Sequence, residues 1–204
     1  MTKQSNEHEA LQQTILDFWF GTNPEAPLEH APKWFKQDSA FDEEIRQHFR
    51  QHIEAAGRGL YDNWRDTVEG TLAFIILTDQ FPRNVYRGTP RAFAFDELAL
   101  SASLDGQAKE FDEQLGYVER WFFYMPMEHS EDLALQNRCV ERFEELTGQV
   151  PDELRGAFEE ALDYAEAHRD VIERFGRFPH RNEVLGRKST PEEAEYLEQP
   201  GAGF

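Results

Sequence analysis

The feature that most limits the fold is an apolar stripe near the C-terminus, repeated at the spacing of an α-helix. Between Pro151 and Gly176, apolar side chains and one histidine recur every three or four residues. They are Leu154, Phe158, Ala161, Ala165, His168, Ile172 and Phe175. Proline is favoured in the first turn of a helix, and glycine just beyond its last turn. The pattern therefore predicts one helix over residues 152–175.

The rest of the chain repeats this helical character, and no segment shows the sustained two-residue alternation of a strand. Further helices are predicted over residues 8–20, 39–56, 67–81, 91–104, 113–125 and 131–146, and Pro126 is expected to end the 113–125 helix. The linkers between them are short, and no shift in composition marks a domain boundary. An all-α fold is expected, arranged as a single domain over residues 1–204.

Two separate segments resemble each other, and we call them the first and second Phe-Pro loops. The first, FPRNVYRGTPRAF, covers residues 81–93, and the second, FPHRNEVLGRKSTPEEA, covers residues 178–194. In each, the Phe-Pro proline is expected to end the preceding helix, and a Thr-Pro pair to begin the next. Two helix–loop–helix units are predicted, around residues 67–104 and 152–198. A distant duplication and convergent turn chemistry both explain the similarity.

Charge and cysteine content exclude several classes of function. Acidic residues outnumber basic ones by 40 to 21, for a formal net charge of −19, which disfavours nucleic acids and anionic membranes as partners. Cys139 is the only cysteine, so an internal disulfide and a multi-thiolate metal site are excluded. The longest apolar run, LAFIIL at residues 72–77, is far shorter than the ~20 residues of a membrane span. A cytoplasmic protein without signal peptide or cofactor is expected, and its oligomeric state is left open.

Both Phe-Pro loops contain an Arg-Asn pair, which is a suitable receptor for a carboxylate or a phosphate. A guanidinium offers five N–H donors in a plane, and a neighbouring amide adds more. If Arg83 and Asn84 converge with Arg181 and Asn182, they form an anion-binding pocket, to which Arg177 and His180 would add. In so acidic a chain, the alternative is that these arginines pair with the protein's own carboxylates and hold its helices together.

Three histidines are candidates for ligand contacts or catalysis. His129 lies just before the predicted 131–146 helix, in the segment MEHSED, where Ser130 is expected to cap the helix. His129 and His180 are the candidate acid–base residues. His168 falls on the apolar stripe, where a histidine is either a hydrogen-bonded core residue or a ligand contact. Their linear spacing matches no metal motif, and no metal is predicted.

The same segments resemble the uncharacterised bacterial family known as domain of unknown function 924 (DUF924). The similar stretches are ILDFWFG at 15–21, LTDQFPRNVYRGTPRAFAFD at 77–96, MPMEHSED at 125–132 and HRDVIERFGRFPHRNEVLGRKSTPEE at 168–193. The resemblance implies an all-α fold similar to tetratricopeptide-type helical stacks. It implies no catalytic role for any residue, because the family has no established activity.

Three classes of function remain compatible with the sequence. The first is a binding module whose Arg, Asn and His side chains hold an anionic small molecule or a peptide carboxylate. The second is an enzyme of the hydrolase or transferase type, with His129 or His180 as acid–base and Arg83 and Arg181 stabilising negative charge. The third is a protein-interaction scaffold in which the arginines are structural and the acidic surface meets a protein partner.

Overall fold

The computed structural model describes residues 3–203, and over that range the chain forms helices and no strand. The all-α prediction is therefore confirmed. The similarity to tetratricopeptide-type stacks stays a prediction. Within the described range, no helix combines the length and the apolar character that crossing a membrane would require.

The α-helices vary from single turns to one long helix. They are α1 (Lys3–Phe20), α2 (Ala31–Trp34), α3 (Ser39–Ala56), α4 (Val68–Ile75), α5 (Phe81–Val85), α6 (Asp96–Ala108), α7 (Tyr117–Glu128), α8 (Leu133–Gln149), α9 (Asp152–Phe175) and α10 (Pro191–Leu197). A π-helical segment, Ile76–Gln80, joins α4 to α5. Short 3₁₀ turns cover Asp62–Asp66, Pro90–Phe93, Asp112–Gln114 and Pro179–Arg181.

The chain divides into two compact units. Unit 1 contains the residues up to 87 together with residues 91–126, and unit 2 contains residues 88–90 and those from 127 onward. Each Phe-Pro loop therefore lies largely within one unit. The single-domain expectation stays a prediction.

Unit 1 is built around aromatic side chains contributed by α1, α3 and α5. The Trp19 ring packs edge-on against Phe81, with their centroids 5.7 Å apart, and Phe81 stacks on Phe49 at 4.7 Å. All three side chains are almost completely buried. Burial of several large aromatic rings contributes a large share of the hydrophobic stabilisation of a unit of this size.

Unit 2 is built on the pairing of α8 with α9. Their buried faces carry the predicted apolar positions, among them Phe143 on α8 and Phe158 and Ala165 on α9. The hydroxyl of Thr147 on α8 donates to the carbonyl oxygen of Phe158 at 3.2 Å, which fixes the contact at one point. The pairing positions the end of α9, from which the second Phe-Pro loop departs.

The predicted ends of the 152–175 helix are confirmed. Pro151 is the N-cap of α9, and Gly176 is the C-cap, with a φ of 66°. This left-handed conformation is strained for any residue with a Cβ atom. The Gly176 N–H donates to the carbonyl oxygen of Ile172 at 2.8 Å and so closes the last turn.

Two prolines expected to end helices do not end them. Pro82 lies in the first turn of α5, because the π-helical segment before it shifts the hydrogen bonding, and Phe81 donates back to Ile76. A first-turn position requires no N–H, so the proline is tolerated there. Pro126 lies inside α7, which continues to Glu128.

Two predicted helix starts also differ. The helix expected over 91–104 begins at Asp96, after a 3₁₀ turn at Pro90–Phe93. The helix expected from residue 131 begins at Leu133. Its cap is Asp132, which accepts from the N–H groups of Ala134 and Leu135, and not the expected Ser130.

Candidate functional site

The second Phe-Pro loop is tied to the segment before α8 by one carboxylate, that of Glu131. The N–H of Phe178 donates to Glu131 Oε1 at 2.8 Å. Arg187 donates to both carboxylate oxygens, at 2.7 and 2.9 Å, and to the Phe178 carbonyl oxygen at 2.9 Å. Burial acts to raise the pKa of Glu131, but the bonds from Arg187 and Phe178 outweigh it, and the pKa is lowered. Glu131 therefore fastens the start of the loop, at Phe178, and its middle, at Arg187, as a carboxylate.

A second carboxylate, that of Glu193 in α10, holds the rest of the loop. Arg177 donates to its two oxygens at 2.6 and 2.8 Å, and the amide of Asn182 donates at 3.2 Å. Glu193 also forms a capping box with Thr190. The bonds from Arg177 lead the interactions that lower the pKa of Glu193 to about 2. Donors of Arg177 and Asn182 thus meet a carboxylate of the protein.

Imidazole rings and a guanidinium surround Phe178, the first residue of this loop. The His168 and His180 rings each lie 5.5 Å from the Phe178 ring, centroid to centroid, and the Arg181 guanidinium lies 4.5 Å above it. The His129 ring packs edge-on against His168 at 6.4 Å. We call these five residues the histidine–arginine cluster.

Two histidines of the cluster are neutral at physiological pH. Burial lowers the pKa of His168 to about 3. Burial, and then the positive charge of Arg181, lowers the pKa of His180 to about 4. His168 Nδ1 lies 2.8 Å from the carbonyl oxygen of Tyr164. Because a carbonyl oxygen can only accept, Nδ1 carries the proton and Nε2 of the neutral ring is a hydrogen-bond acceptor.

A cavity of about 490 Å³ lies in unit 2. It is lined by Asp163, Tyr164, Ala167, Gly201, Ala202 and Gly203. Gly203 has a φ of 116°, and a Cβ atom placed on it would lie 3.1 Å from the Cβ atom of His180. Tyr164, whose carbonyl oxygen binds His168, is 57 % exposed. One residue of the cavity wall, Gly203, therefore lies close to His180, and the wall is exposed to solvent at Tyr164.

The first Phe-Pro loop, in unit 1, meets carboxylates of the same unit. Arg83 donates to both oxygens of Asp96, at 3.0 and 3.1 Å. The amide of Asn84 donates to Asp42 at 2.8 Å, and Arg87 donates to both oxygens of Asp42 at 2.9 Å. The arginines of the first Phe-Pro loop thus pair with the protein's own carboxylates, which is the alternative to anion binding that the sequence left open.

The predicted ligand-binding residues thus fall into two groups. The structure brings together His129, His168, His180 and Arg181. It places Arg177 and Asn182 on Glu193, and Arg83 and Asn84 on aspartates of unit 1. A ligand-binding role stays a prediction for all eight residues, as does acid–base catalysis by His129 or His180.

Sequence reasoning overlooked the two carboxylates that shape the loop. Glu193 carried a usable signal, because Thr-x-x-Glu is the capping-box pattern. Glu131 carried none, since its partners are distant in sequence and it was expected in the first turn of α8. Over residues 3–203, no group of three or more His, Cys, Asp or Glu side chains is arranged to hold a metal ion.

Comparisons with known proteins identify relatives. The family model of the bacterial proteins of unknown function DUF924 matches residues 15–201. A solved structure, that of the protein of unknown function ATU0120 from Agrobacterium tumefaciens, is similar with a TM-score of 0.78 and 40 % sequence identity. The similarity covers 94 % of this chain and 99 % of that one. No match was found among curated proteins.

Proposed function

We propose a function for this chain, which belongs to the DUF924 family of bacterial proteins of unknown function. It is a binding protein that holds an anionic small molecule or a peptide carboxylate at the histidine–arginine cluster of unit 2. Arg181 supplies the positive charge, and His180 supplies an adjacent hydrogen bond.

The observation that carries the proposal is that Arg181 and His180 lie on the same Phe178 ring. Arg181 is only 6 % exposed, and its charge is felt at His180, whose pKa it lowers. An anion beside His180 would interact with this charge at a site shielded from water by an aromatic ring. Charged hydrogen bonds are stronger in such surroundings than in bulk water.

The cavity of unit 2 gives the ligand a place to bind. Its volume, about 490 Å³, lies within the range of about 300–1,000 Å³ typical of small-molecule sites. The closeness of Gly203, a residue of the cavity wall, to His180 supports a ligand site that reaches the cluster. The loop itself is held by Glu131 and Glu193, so the cluster is positioned before any ligand arrives.

Calorimetric titration of the full chain tests the proposal. The ligands are phosphate, sulfate, citrate and a short peptide with a free C-terminus, each against chloride at matched ionic strength. Thermal unfolding gives a second measurement. An anion present at a concentration of 100 times its Kd should stabilise the fold by about 2.7 kcal/mol, which raises the unfolding midpoint by roughly 5–10 °C.

Variants locate the site. His180→Gln and Arg181→Gln should each weaken binding about tenfold or more, because a hydrogen bond to a charged group contributes about 1.5–3 kcal/mol. His48→Gln, at an exposed histidine of unit 1, is the matched control and should bind normally. If Arg181→Gln fails to fold, His180→Gln decides alone. Failure of every anion to bind, or unchanged binding in His180→Gln, would leave the cluster with a structural role only.

The pH dependence of sulfate binding gives a second readout. A bound anion favours the charged form of His180, so its pKa of about 4 in the free protein should rise in the complex. Affinity should therefore increase as the pH is lowered from about 8 to about 5, and His180→Gln should lose this dependence. Equal dependence in the parent and in His180→Gln would exclude His180 from the site.

Acid–base catalysis is a second candidate function, and the neutral state of His180 favours it. A neutral imidazole can accept a proton from a substrate, and Arg181 beside it can stabilise negative charge that develops. The readout is chemical conversion of a bound ligand, followed by NMR. Conversion that stops in His180→Gln while binding is merely weakened would indicate a hydrolase or transferase.

A further inference from the structure

A second cavity lies within unit 1, at the C-terminal end of α1. Its volume is about 460 Å³. It is lined by the last turns of α1, the loop that follows and the start of α7, with lining residues between 13 and 27 and between 116 and 119. None of the proposals for unit 2 uses this cavity.

Two carboxylates give the cavity its charge. Asp17 Oδ1 accepts from the amide of Gln13 at 2.7 Å, and Glu119 Oε2 accepts from the N–H of Gly116 at 2.7 Å. Both donors are neutral. Within the described part of the chain, neither carboxylate forms an ion pair, and the lining contains no lysine, arginine or histidine. Two negative charges therefore face the cavity without a compensating cation from its wall.

The remaining wall is partly polar, at Gln13, Thr22 and Asn23, and has an apolar, partly aromatic part. Phe20, Tyr117, Pro24, Pro27 and Val118 contribute to it, and Tyr117 is 38 % exposed. Aromatic faces attract cations, and proline and valine surfaces accept an apolar body. A small inorganic cation would leave most of this surface and volume unused. The lining fits a larger organic cation.

We propose that unit 1 binds an organic cation in this cavity, namely an amine or guanidinium group on an apolar body. Asp17 and Glu119 hold the cationic group, and the aromatic and proline wall holds the body. The ligand comes either as a free small molecule or as a lysine or arginine side chain of a peptide, because both present the same chemistry. The site is independent of the proposed anion site.

Titration of the full chain with two sets of probes tests the proposal and separates the two sources. The first set is phenethylamine and agmatine, with 2-phenylethanol as an uncharged match for phenethylamine. The second is a blocked tripeptide with a central arginine, and the same peptide with a central glutamine. The cationic probe of at least one set should bind and its neutral match should not, and the set that binds more tightly identifies the source.

Conservative variants test the two carboxylates. Asp17→Asn and Glu119→Gln keep an oxygen that can accept from Gln13 and from Gly116, so both proteins should fold. Each should lose about tenfold or more in affinity for the cation. Glu44→Gln, at an exposed acid of α3 outside the cavity, should bind as the parent does. The proposal is overturned if no cation binds, if the neutral matches bind equally well, or if both cavity variants bind normally.

Discussion

His168 is the residue at which the chemistry of unit 2 is most tightly linked to its stability. The ring lies on the apolar face of α9, is 6 % exposed, and donates from Nδ1 to the carbonyl oxygen of Tyr164. Its hydrogen bond explains why an imidazole is tolerated there when it is neutral. The same burial penalises the imidazolium, and the pKa falls to about 3.

This lowered pKa predicts a loss of stability in mild acid. The unfolded chain protonates His168 near pH 6.5 and the folded chain only near pH 3, so between these values the unfolded state binds more protons. The free energy of unfolding should therefore fall as the pH is lowered. For this residue alone, the loss between pH 7 and pH 5 should be about 2 kcal/mol. His168→Gln, which cannot be protonated, should lack that part of the loss in urea unfolding at the two pH values.

His48→Gln is the control for general effects of removing a histidine. That side chain is exposed, so the variant should follow the parent at both pH values. If His168→Gln lost as much stability as the parent between pH 7 and pH 5, the imidazolium would be accommodated in the folded state. The interpretation of His168 as a buried neutral base would then be wrong.

The two Arg-Asn pairs show how far residue types alone predict a site. Arg83 and Arg181 each belong to the Arg-Asn pair of similar local sequences, and for both the sequence left anion binding and pairing with the protein's own carboxylates as alternatives. Arg83 contacts Asp96, whereas Arg181 lies over Phe178 within a group of histidines. Local sequence identifies the donors, but their partners come from distant segments. Only the packing of those segments distinguishes an arginine paired with a carboxylate from one stacked on an aromatic ring among histidines.

At the scale of elements, α9 is the helix whose limits follow most directly from sequence. Its apolar period and its terminal proline and glycine specify both ends, since these depend on interactions within a few residues. Pro82 and Pro126 were interpreted by the same local rules and gave wrong helix ends. A π-helical segment precedes the first, and the second lies inside α7. Both prolines lie in segments whose side chains are almost all buried. Tertiary packing there offsets the local preference of a proline to end the helix before it.

Two glycines of α9 provide a matched test of its C-terminal cap. Gly176 has a φ of 66°, and Gly156 lies inside the helix; a Cβ atom would meet no atom within 4 Å at either position. Steric contacts therefore do not differ, and only the backbone conformation does. Gly176→Ala should lower the free energy of unfolding by about 1 kcal/mol, and Gly156→Ala should raise it by up to about 1 kcal/mol. Thermal or urea unfolding of the two variants measures both. Equal effects would mean that the left-handed cap does not limit the end of α9.

At the scale of the whole molecule, charge is the property most accessible from sequence and least tied to any one element. Within each unit, loop arginines are paired with carboxylates, as Arg83 is with Asp96 and Arg177 with Glu193. These pairs leave a large acidic excess, since the formal net charge is −19. Like charges that are held closer together in the folded chain than in the unfolded one oppose folding.

Salt should therefore stabilise this protein. Raising NaCl from about 10 to about 200 mM shortens the screening length to below 10 Å, which weakens repulsion between exposed carboxylates more than it weakens the partly buried ion pairs. We expect the unfolding midpoint at pH 7.5 to rise by a few degrees, on the order of 1 kcal/mol in the free energy of unfolding. At pH 5.5, nearer the sequence pI of about 4.7, the net negative charge is smaller, so the rise should be smaller. A midpoint that fell with salt at pH 7.5 would mean that the Arg–carboxylate pairs outweigh the acidic excess. The stability measured in the anion titrations would then have to be corrected for the ion pairs that salt weakens, and not for the carboxylate repulsion that salt relieves.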